Sequence, residues 1–394
     1  MTSRSAAGTA RDEGFMREAI AEAQKGVGRT HPNPPVGAVV VKNGMIVGRG
    51  FHPSAGQPHG EVFALREAGE KARGAEVYVT LEPCNHFGRT PPCTLALIEA
   101  GVKRVVTGSK DPSPWIKNNL ARLRRAGIEV ITGILRAETD LLNRPFFKRV
   151  LTGLPWVTLK AAVSLDGKLA IARGLQTWLT GEASRLAVHR LRDQADVVMV
   201  GAGTVRADNP RLNTRLPKGS GRDPTRLVLS SDLKLDPGAF LFTQPSTAPT
   251  IVATLQSERS KRARQLSERG ARIWQLKGLN GEEDRVPLEP LLRRLAEAGH
   301  MHVMVEGGAE LHTAFIEAGL ADELWLFVAP KLVGAQGLPW LGPLDLGRRA
   351  MPKALAAMDA SPCGEDLLVK VRLSKESLPT RETSTVLRRT RTVP

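Results

Sequence analysis

The segment from His59 to Cys93 brings together residue types that bind a metal, and this constrains how the chain can fold. His59 and Glu61 stand two residues apart in PHGEV, and Cys84 and Cys93 follow in LEPCNHFGRTPPC. Zinc prefers tetrahedral nitrogen and sulfur ligands, and a catalytic zinc keeps three protein ligands and an open position for water. His59, Cys84 and Cys93 therefore predict a mononuclear zinc site that the fold has to assemble.

Glu61 lies at the start of a helical pattern and can face the same pocket without binding the metal. A carboxylate in that place can carry protons from the water to a leaving amine. Zinc nucleobase deaminases show such an arrangement as H-x-E followed by P-C-x-x-C. Here eight residues separate Cys84 and Cys93 instead of two, and an alternative stays open in which both are buried thiols that pack as small hydrophobes.

Composition limits the class of protein and its partners. The 394 residues favour two or three domains, and the three cysteines favour a reducing compartment. The N-terminus has no apolar signal segment and no run is long enough to span a bilayer, so we expect a cytoplasmic protein without a membrane partner. The net charge of +16 suits nucleic acid, but aromatic residues are only 4% of the chain and offer few stacking platforms. We therefore expect no nucleic-acid partner, since a positive field also attracts a small phosphorylated substrate.

The first part of the chain alternates between helical and strand patterns. Apolar periodicity predicts helices at 12–26, 62–71, 94–101 and before 127, and strands at 36–41, 45–47, 76–81, 103–107 and 128–132. This alternation predicts a three-layer α/β domain with a covered sheet. It places Cys84 at a strand end that leads toward a helix N-terminus, where the dipole favours thiolate. Residues 140–155 predict a connecting helix and a turn outside the core.

A second α/β pattern starts at Trp156 and contains two glycine turns, GAGT at 201–204 and EGGA at 306–309. Glycines after a strand let backbone N–H groups approach a phosphate at the following helix N-terminus. The chain lacks G-x-G-x-x-G, so a usual dinucleotide fingerprint is absent. A purely steric need for glycine in tight turns stays open as the alternative.

The two patterns together resemble the bifunctional riboflavin-biosynthesis deaminase-reductase family over about residues 12–373. The resemblance rests on HPNPPVGAVVV, TLEPCNHFGRTPPC, TLKAAVSLDGKLA, VGAGTVRADNP and VEGGAELH. It implies an α/β chain with a cytidine deaminase-like three-layer domain followed by a dihydrofolate reductase-like domain. It also makes the wide cysteine spacing a family feature. The implied divisions are a zinc-dependent deaminase at 1–145, a linker at 146–155, an NADPH-dependent reductase at 156–375 and a basic tail at 376–394.

The family activity implied is hydrolytic deamination of 2,5-diamino-6-(5-phosphoribosylamino)pyrimidin-4(3H)-one. Reduction of the ribose by NADPH then gives 5-amino-6-(5-phosphoribitylamino)uracil. The implied cofactors are Zn²⁺ and NADPH, and the implied assembly is a homo-oligomer. Two alternatives stay open: a paralogue that acts on a related phosphorylated pyrimidine, and a zinc deaminase that binds or edits RNA.

The resemblance also assigns roles to residues of this sequence. In the first domain it implies zinc ligands at His59, Cys84 and Cys93, a proton shuttle at Glu61, pocket positions at Asn33 and His52, and phosphate positions at His86 and Arg89. In the second it implies a catalytic role for Lys160, substrate contacts at Gln176, Arg192, Leu212, Arg215 and Glu306, and NADPH contacts at Val163, Trp178, Thr204, Asp208, Ser231 and Gly308. Without the resemblance, a core aromatic at Trp178 and a solvated helix face at Arg192 are the alternatives.

Four features depart from the family pattern. Gly60 stands where alanine is usual, and glycine there is expected to loosen the start of a helix. Ser113 replaces an asparagine, Gln176 replaces a serine, and the stretch at 115–120 lacks the usual glycines and is one residue short. These departures concern substrate fit more than metal chemistry.

Overall fold

A computed structural model describes residues 6–172, 174–175, 178–278, 284–344, 355 and 357–373. The chain forms two compact units, and their boundary in the described residues lies between Thr152 and Gly153. Each unit contains its own sheet. No helix of the described residues is both long and apolar enough to cross a bilayer.

The first unit is a five-stranded sheet with helices. Its strands are β1 (Gly37–Lys42), β2 (Met45–Phe51), β3 (Glu76–Leu81), β4 (Arg104–Ser109) and β5 (Glu129–Ile131). Its α-helices are α1 (Ala6–Gln24), α2 (Gly60–Ala68), α3 (Cys93–Glu99), α4 (Asn119–Arg125) and α5 (Arg136–Thr152), and a 3-10 turn covers Gly69–Ala72. The strand order is β2-β1-β3-β4-β5, with β1 antiparallel to β2 and β3 and the last three strands parallel.

The central strand β3 confirms the strand predicted at 76–81. All six of its residues are buried, as expected for a strand that is covered on both faces. On one side, Tyr78 packs with Met16, Val39 and Val106 in the core. Because β3 is packed in this way, the segment that follows Leu81 and carries Cys84 starts from a buried strand end.

Helix α5 corrects the expectation for residues 140–155. These residues were expected to lie outside the core, but Asn143, Phe146 and Phe147 are buried. The helix packs at the end of β4, where the Ser109 hydroxyl donates to Thr139 Oγ1 at 2.8 Å. Residues 146–152, assigned above to a linker, are thus the last turns of a helix with a buried face.

The second unit is a nine-stranded sheet with helices on both faces. Its sheet strands are β6 (Trp156–Ser164), β8 (Val197–Gly201), β9 (Thr225–Leu229), β10 (Thr250–Thr254), β11 (Ala271–Gln275), β12 (His302–Val305), β13 (Glu323–Ala329), β15 (Ala357–Cys363) and β16 (Asp366–Arg372), and β7 (Lys168–Ala170) pairs with β14 (Leu338–Pro339). Its α-helices are α6 (Glu182–Gln194), α7 (Ala202–Asp208), α8 (Phe240–Thr243), α9 (Lys261–Glu268), α10 (Leu288–Glu297) and α11 (Ala309–Glu317), and a 3-10 turn covers Pro217–Gly219.

The strand order is β11-β10-β9-β8-β12-β6-β13-β16-β15, parallel from β11 to β13 and antiparallel beyond. Alternate residues of β8 enter two cores, since Val198 and Val200 pack on one face and Val197 and Met199 on the other. The carboxyl ends of parallel strands meet at one edge, which is where ligands bind in open α/β sheets. Here that edge carries the two glycine turns, after β8 and β12.

Two candidate active sites

The three predicted zinc ligands meet in the first unit. His59 immediately precedes α2, Cys84 follows β3, and Cys93 is the first residue of α3. Their ligand atoms all lie within 4.8 Å of one another. His59 Nδ1 is 3.2 Å from Cys93 Sγ and 3.5 Å from Cys84 Sγ. One imidazole and two thiol groups converging in this way match the donor set and number of a catalytic zinc site.

The two cysteines are electrostatically distinct. A hydrogen bond with Cys93 lowers the pKa of Cys84 to about 4 against the opposing effect of burial, and His59 lowers this pKa further. The same hydrogen bond and burial raise the pKa of Cys93. The backbone N–H of Cys93, at the start of α3, donates to Cys84 Sγ at 3.3 Å. This contact agrees with the prediction that a helix N-terminus favours the thiolate form of Cys84. At least one thiolate is therefore ready for a metal.

Glu61 lies in the first turn of α2, two residues from His59, with 2% of its surface exposed. Burial raises the pKa of its carboxyl group, although the charge of His59 opposes this. Its Oε2 atom is buried and has no hydrogen-bond partner among the described residues. Such a carboxyl group, with one free oxygen beside the candidate metal ligands, can accept a proton and pass it on.

Asn33 and His52 extend this site beside His59. Asn33 Nδ2 is 3.0 Å from His52 Nε2, and His52 Nδ1 is 3.0 Å from the carbonyl oxygen of Pro58. The His52 and His59 rings meet edge to face, with centroids 5.1 Å apart. Burial lowers the pKa of His52. The structure therefore brings both pocket positions predicted from the sequence to the metal group.

The loop between the cysteines and the loop at 111–118 border the same site. His86 is half-buried and its Nδ1 atom has no hydrogen-bond partner within the described chain, whereas Arg89 is exposed. Ser113 is fully buried, and its Oγ atom is likewise unpartnered in the described part. Ile116 packs against Cys84 and Cys93. The stretch that departs from the family pattern thus touches the metal ligands directly.

Asn85 is a residue that the sequence analysis missed. Its Oδ1 accepts from the Thr94 hydroxyl and from Arg122, each at 2.9 Å, and its Nδ2 donates to the Lys117 carbonyl oxygen at 3.1 Å. It therefore ties the segments next to both cysteines to the loop at 115–119 and to α4. Only the three-dimensional contacts reveal this, since an asparagine after a cysteine carries no pattern of its own.

The second candidate site is centred on Glu306, which follows β12. Arg192 of α6 donates through Nε to Glu306 Oε1 at 2.5 Å and through Nη2 to Oε2 at 2.9 Å. Lys160 of β6 has its Nζ 4.0 Å from Glu306 Oε2. Burial alone would raise the pKa of Glu306, but the charge and hydrogen bonds of Arg192 and the charge of Lys160 lower it to about 2. Burial lowers the pKa of Lys160. Because the Arg192 side chain is only 11% exposed, the alternative of a solvated helix face is wrong.

His189 is a second missed residue. It lies three positions before Arg192 on α6, a spacing that places both on one face of a helix and would have identified it. Its Nδ1 accepts from the Arg215 backbone N–H at 3.2 Å. Burial, followed by the charges of Arg192 and Arg215, lowers the pKa of His189 to about 4. Leu212, buried with a φ of 51°, shapes the same loop, where Arg215 Nη1 donates to Asn213 Oδ1 at 2.6 Å.

The predicted NADPH positions lie on several elements of this unit. Thr204 is in the first turn of α7, Ser231 follows β9 and Gly308 precedes α11, so all three follow neighbouring parallel strands. Asp208 ends α7, and Val163 is buried in β6. The ring of Trp178 is not a core aromatic, since the residue is 64% exposed and lies 5.5 Å from the Arg185 guanidinium. Gln176 lies outside the described residues.

The glycines of the two turns differ in whether close packing requires them or whether open space adjoins them. Gly201 and Gly308 have ordinary negative φ values, and a Cβ atom added at either, or at Gly203, would meet no atom within 4 Å. At Gly307 an added Cβ would lie 2.8 Å from Leu311, so glycine is needed there for packing. The steric alternative therefore fails for three of the four glycines. The open space fits a cofactor phosphate approaching the backbone N–H groups.

These sites define a two-part enzyme that joins a zinc-dependent deaminase to an NADPH-dependent reductase. Residues 9–109 match the family model of the cytidine and deoxycytidylate deaminase zinc-binding region, and residues 155–369 match that of the RibD C-terminal domain. The chain belongs to the RibD family of riboflavin biosynthesis proteins. The resemblance, the fold class and the two enzyme classes expected from the sequence are thereby confirmed.

Similar proteins match along most of both chains. Riboflavin biosynthesis protein RibD of Aquifex aeolicus is 44% identical over 361 residues, which are 91% of this chain and 97% of that protein. The Escherichia coli protein of the same name is 42% identical over 350 residues, 85% of this chain and 92% of that protein. The solved structure of Acinetobacter baumannii RibD has a TM-score of 0.82 at 37% identity and covers 92% of this chain and 99% of its own.

A deaminase-reductase structure from Thermotoga maritima has a TM-score of 0.81 at 38% identity, covering 92% of this chain and 99% of its own. That protein is described as a diaminohydroxyphosphoribosylaminopyrimidine deaminase and 5-amino-6-(5-phosphoribosylamino)uracil reductase. Neither a pyrimidine paralogue nor an RNA-editing deaminase is favoured by these similarities.

Proposed function

We propose that the first unit deaminates 2,5-diamino-6-(5-phosphoribosylamino)pyrimidin-4(3H)-one by hydrolysis. The second unit then reduces the ribose with NADPH to give 5-amino-6-(5-phosphoribitylamino)uracil. The observation that carries the first step is the buried carboxyl group of Glu61, whose Oε2 atom has no hydrogen-bond partner among the described residues, beside His59, Cys84 and Cys93. The similarity to the Thermotoga maritima protein, which is described by both activities, supports the substrate assignment.

In the deaminase, His59, Cys84 and Cys93 would hold zinc. When bound, zinc supplies a Lewis acid that lowers the pKa of water to about 7. Glu61 takes a proton from the attacking water and delivers it to the amino group that leaves as ammonia, so that a C–O bond replaces the C–N bond. Its burial suits this task, because a raised pKa brings the carboxyl group toward the working pH.

Substrate recognition in this unit would involve four further residues. Asn33 and His52 border the pyrimidine, since they adjoin His59. His86 and Arg89 lie on the loop between the cysteines and suit the phosphate, because charge-assisted hydrogen bonds to phosphate are strong. A loop that carries both ligands and phosphate contacts would explain the long cysteine spacing.

In the reductase, NADPH would supply the hydride, held by the open glycine positions together with Val163, Trp178, Thr204, Asp208 and Ser231. Reduction of the ribose also consumes a proton, and Lys160 can donate it because burial lowers its pKa. Glu306 keeps Lys160 and Arg192 in place through its ionised carboxylate. Arg192, Arg215, Leu212 and Gln176 would then form the substrate side of the site.

Substituting one residue in each unit tests the division of labour. Glu61→Gln should abolish ammonia release while zinc content stays at the wild-type level, because Glu61 is no ligand. Glu70→Gln, an exposed residue after α2, should keep full activity. Near-normal ammonia release by Glu61→Gln would contradict the role of this residue.

Lys160→Ala should block NADPH oxidation and spare ammonia release, since Lys160 and Glu61 belong to separate units. Lys261→Ala, which removes an exposed lysine of α9, is the matched control. Both activities would be followed in one reaction by coupled ammonia and absorbance assays. A parallel loss of both activities in Lys160→Ala would contradict the assignment.

Location and partners beyond the substrate stay predictions. A homo-oligomer is expected, and sedimentation velocity of the purified chain measures it. We expect no specific RNA binding, and a salt titration checks this, because strong and steeply salt-dependent binding marks a nucleic-acid partner. The cytoplasmic location would be measured by cell fractionation.

A further inference from the structure

Lys331 connects the loop after β13 to the segment that carries Trp178. Its ammonium group donates to the carbonyl oxygen of Leu179 at 2.5 Å and to that of Trp178 at 3.4 Å. An ammonium group has three donors and no acceptor, so one lysine can serve two neighbouring carbonyl groups. Hydrogen bonds from a charged donor are shorter and stronger than neutral ones. Lys331 therefore holds the backbone at Trp178, although 153 positions separate the two residues in the sequence.

The backbone of Lys331 is itself fixed. Its carbonyl oxygen accepts from the Leu165 N–H after β6, and its N–H donates to the carbonyl oxygen of Ala329 at the end of β13, both at 2.8 Å. The Asp166 carboxylate accepts from the next backbone N–H groups of this loop, at 333 and 334, at 3.1 Å and 2.7 Å. Lys331 thus projects from a loop that is bonded to the carboxyl ends of two parallel strands.

Trp178 is anchored through its backbone while its ring stays open. The Arg185 guanidinium of α6 donates to the Thr180 carbonyl oxygen at 2.9 Å and lies 5.5 Å from the centre of the Trp178 ring, within the range of a cation–π contact. The neighbouring Leu179 is 5% exposed, whereas Trp178 is 64% exposed. Two cations therefore fix this segment near the carboxyl ends of β6 and β13, at the edge of the sheet where ligands bind.

We propose that Lys331 is a positioning residue of the reductase, which fixes the backbone at Trp178 so that the exposed indole ring can stack with a ring of NADPH. This inference rests on the proposed NADPH-dependent reduction and deepens it, because Lys331 acts on the cofactor through Trp178. A flat aromatic side chain is a stacking platform for nucleotide rings. Holding that side chain in advance lowers the entropy lost when the cofactor binds.

Two substitutions of Lys331 separate its donors from its length. Lys331→Met keeps an unbranched apolar chain and removes every donor, whereas Lys331→Arg keeps a cation that can donate to both carbonyl groups. Lys261→Met, at an exposed lysine of α9, is the matched control. The dissociation constant of NADPH would be measured by titration calorimetry on the full-length chain. We expect Trp178→Ala to raise it roughly tenfold, Lys331→Met roughly fivefold, and the control to leave it unchanged.

The kinetic pattern distinguishes positioning from a general loss of structure. Lys331→Met should raise the KM for NADPH far more than it changes kcat or the KM for the pyrimidine, because it disturbs only the segment at Trp178. Lys331→Arg should restore most of the affinity. In the double variant with Trp178→Ala, Lys331→Met should add no further loss, because both changes remove the same cofactor contact.

Fluorine NMR of protein that contains 5-fluorotryptophan reports on the ring directly. The Trp178 resonance, assigned with Trp178→Phe, should shift on addition of NADPH and should differ between wild type and Lys331→Met before any cofactor is added. The inference is overturned by an unchanged resonance in Lys331→Met, by wild-type affinity in that variant, or by multiplying losses in the double variant. A wild-type chain that binds no NADPH would refute the proposed reductase function and the stacking with it, while the spectra without cofactor would still decide whether Lys331 fixes Trp178.

Discussion

Replacing Glu306 by glutamine should destabilise the second unit as well as stop its reaction. The Glu306 and Arg192 side chains are 10% and 11% exposed, and Lys160 is 17% exposed at 4.0 Å. Glutamine preserves the shape but leaves two buried cations without an anion. Breaking one partner of a buried ion pair typically costs about 3–5 kcal/mol. We expect a loss of this size in the free energy of unfolding.

The tryptophans of the chain allow this loss to be measured in one unit. Only Trp115 of the six tryptophans lies in the first unit. In a Trp115→Phe background, fluorescence during urea unfolding therefore reports on the second unit. Glu289→Gln is the matched control, because Glu289 is 49% exposed and pairs with Arg293 on the surface of α10. Exposed pairs contribute about 0.2–1 kcal/mol, so the control should change little.

The pH dependence supplies an independent check. The folded pKa of Glu306 is about 2 and its ordinary value is 4.5. The stability that this carboxylate contributes is therefore present above pH 4.5 and is lost as pH falls toward 2. The gap between wild type and Glu306→Gln should shrink across that window. The reasoning is refuted if the two proteins differ by less than about 1 kcal/mol in the free energy of unfolding at pH 7, because an exposed ion pair contributes as much.

Three further predictions concern the first unit. A chelator should stop ammonia release and lower the melting temperature of this unit, while NADPH oxidation on a pre-deaminated substrate continues. Gly60→Ala should destabilise by about 1–3 kcal/mol, since the new Cβ would lie 2.7 Å from the Val36 carbonyl oxygen, and Gly14→Ala, with no atom within 4 Å, is the control in thermal melts. Arg11 and Arg104 lower the pKa of Glu76 to about 2 against the opposing effect of burial. The free energy of unfolding should therefore fall as pH drops from 4.5 toward 2. In Arg104→Met this fall, measured by acid titration, should be smaller.

The metal group was predictable because its chemistry lies in residue types. A histidine and two cysteines spaced as His59, Cys84 and Cys93 are typical of a metal site. The strand predicted at 76–81 also indicated where the loop that carries Cys84 begins. Asn85 was not predicted as functional, since its importance lies in contacts with distant segments. His189 was also not predicted, although its spacing from Arg192 on α6 is a signal that the sequence contains. The prediction that Phe146 lies outside the core was wrong, because burial of a helix face depends on which other element packs against it.

Gly60 shows how packing can reverse a propensity argument. From the sequence, glycine between His59 and Glu61 was expected to loosen the helix start. In the structure Gly60 is buried against the backbone of Val36, and Gly50 on β2 is equally crowded by α2, since its Cβ would lie 2.4 Å from Ala64 N. Helix and strand approach each other because both lack side chains there. Gly60, which departs from the family pattern, thus allows the close packing of the helix that carries Glu61.

Two buried glutamates show how the same side chain supports opposite tasks. Glu61 has no cation bonded to its free oxygen, and burial raises its pKa, so it can gain and release a proton. The Glu306 side chain is 10% exposed, but Arg192 and Lys160 lower its pKa to about 2, so it stays an anion throughout the working pH range. Environment separates the two roles, as in enzymes that use paired carboxyl groups. A guanidinium group bonded to Glu61, as Arg192 is bonded to Glu306, would therefore keep the Glu61 carboxylate ionised, and the hydrolytic step would lose its proton path.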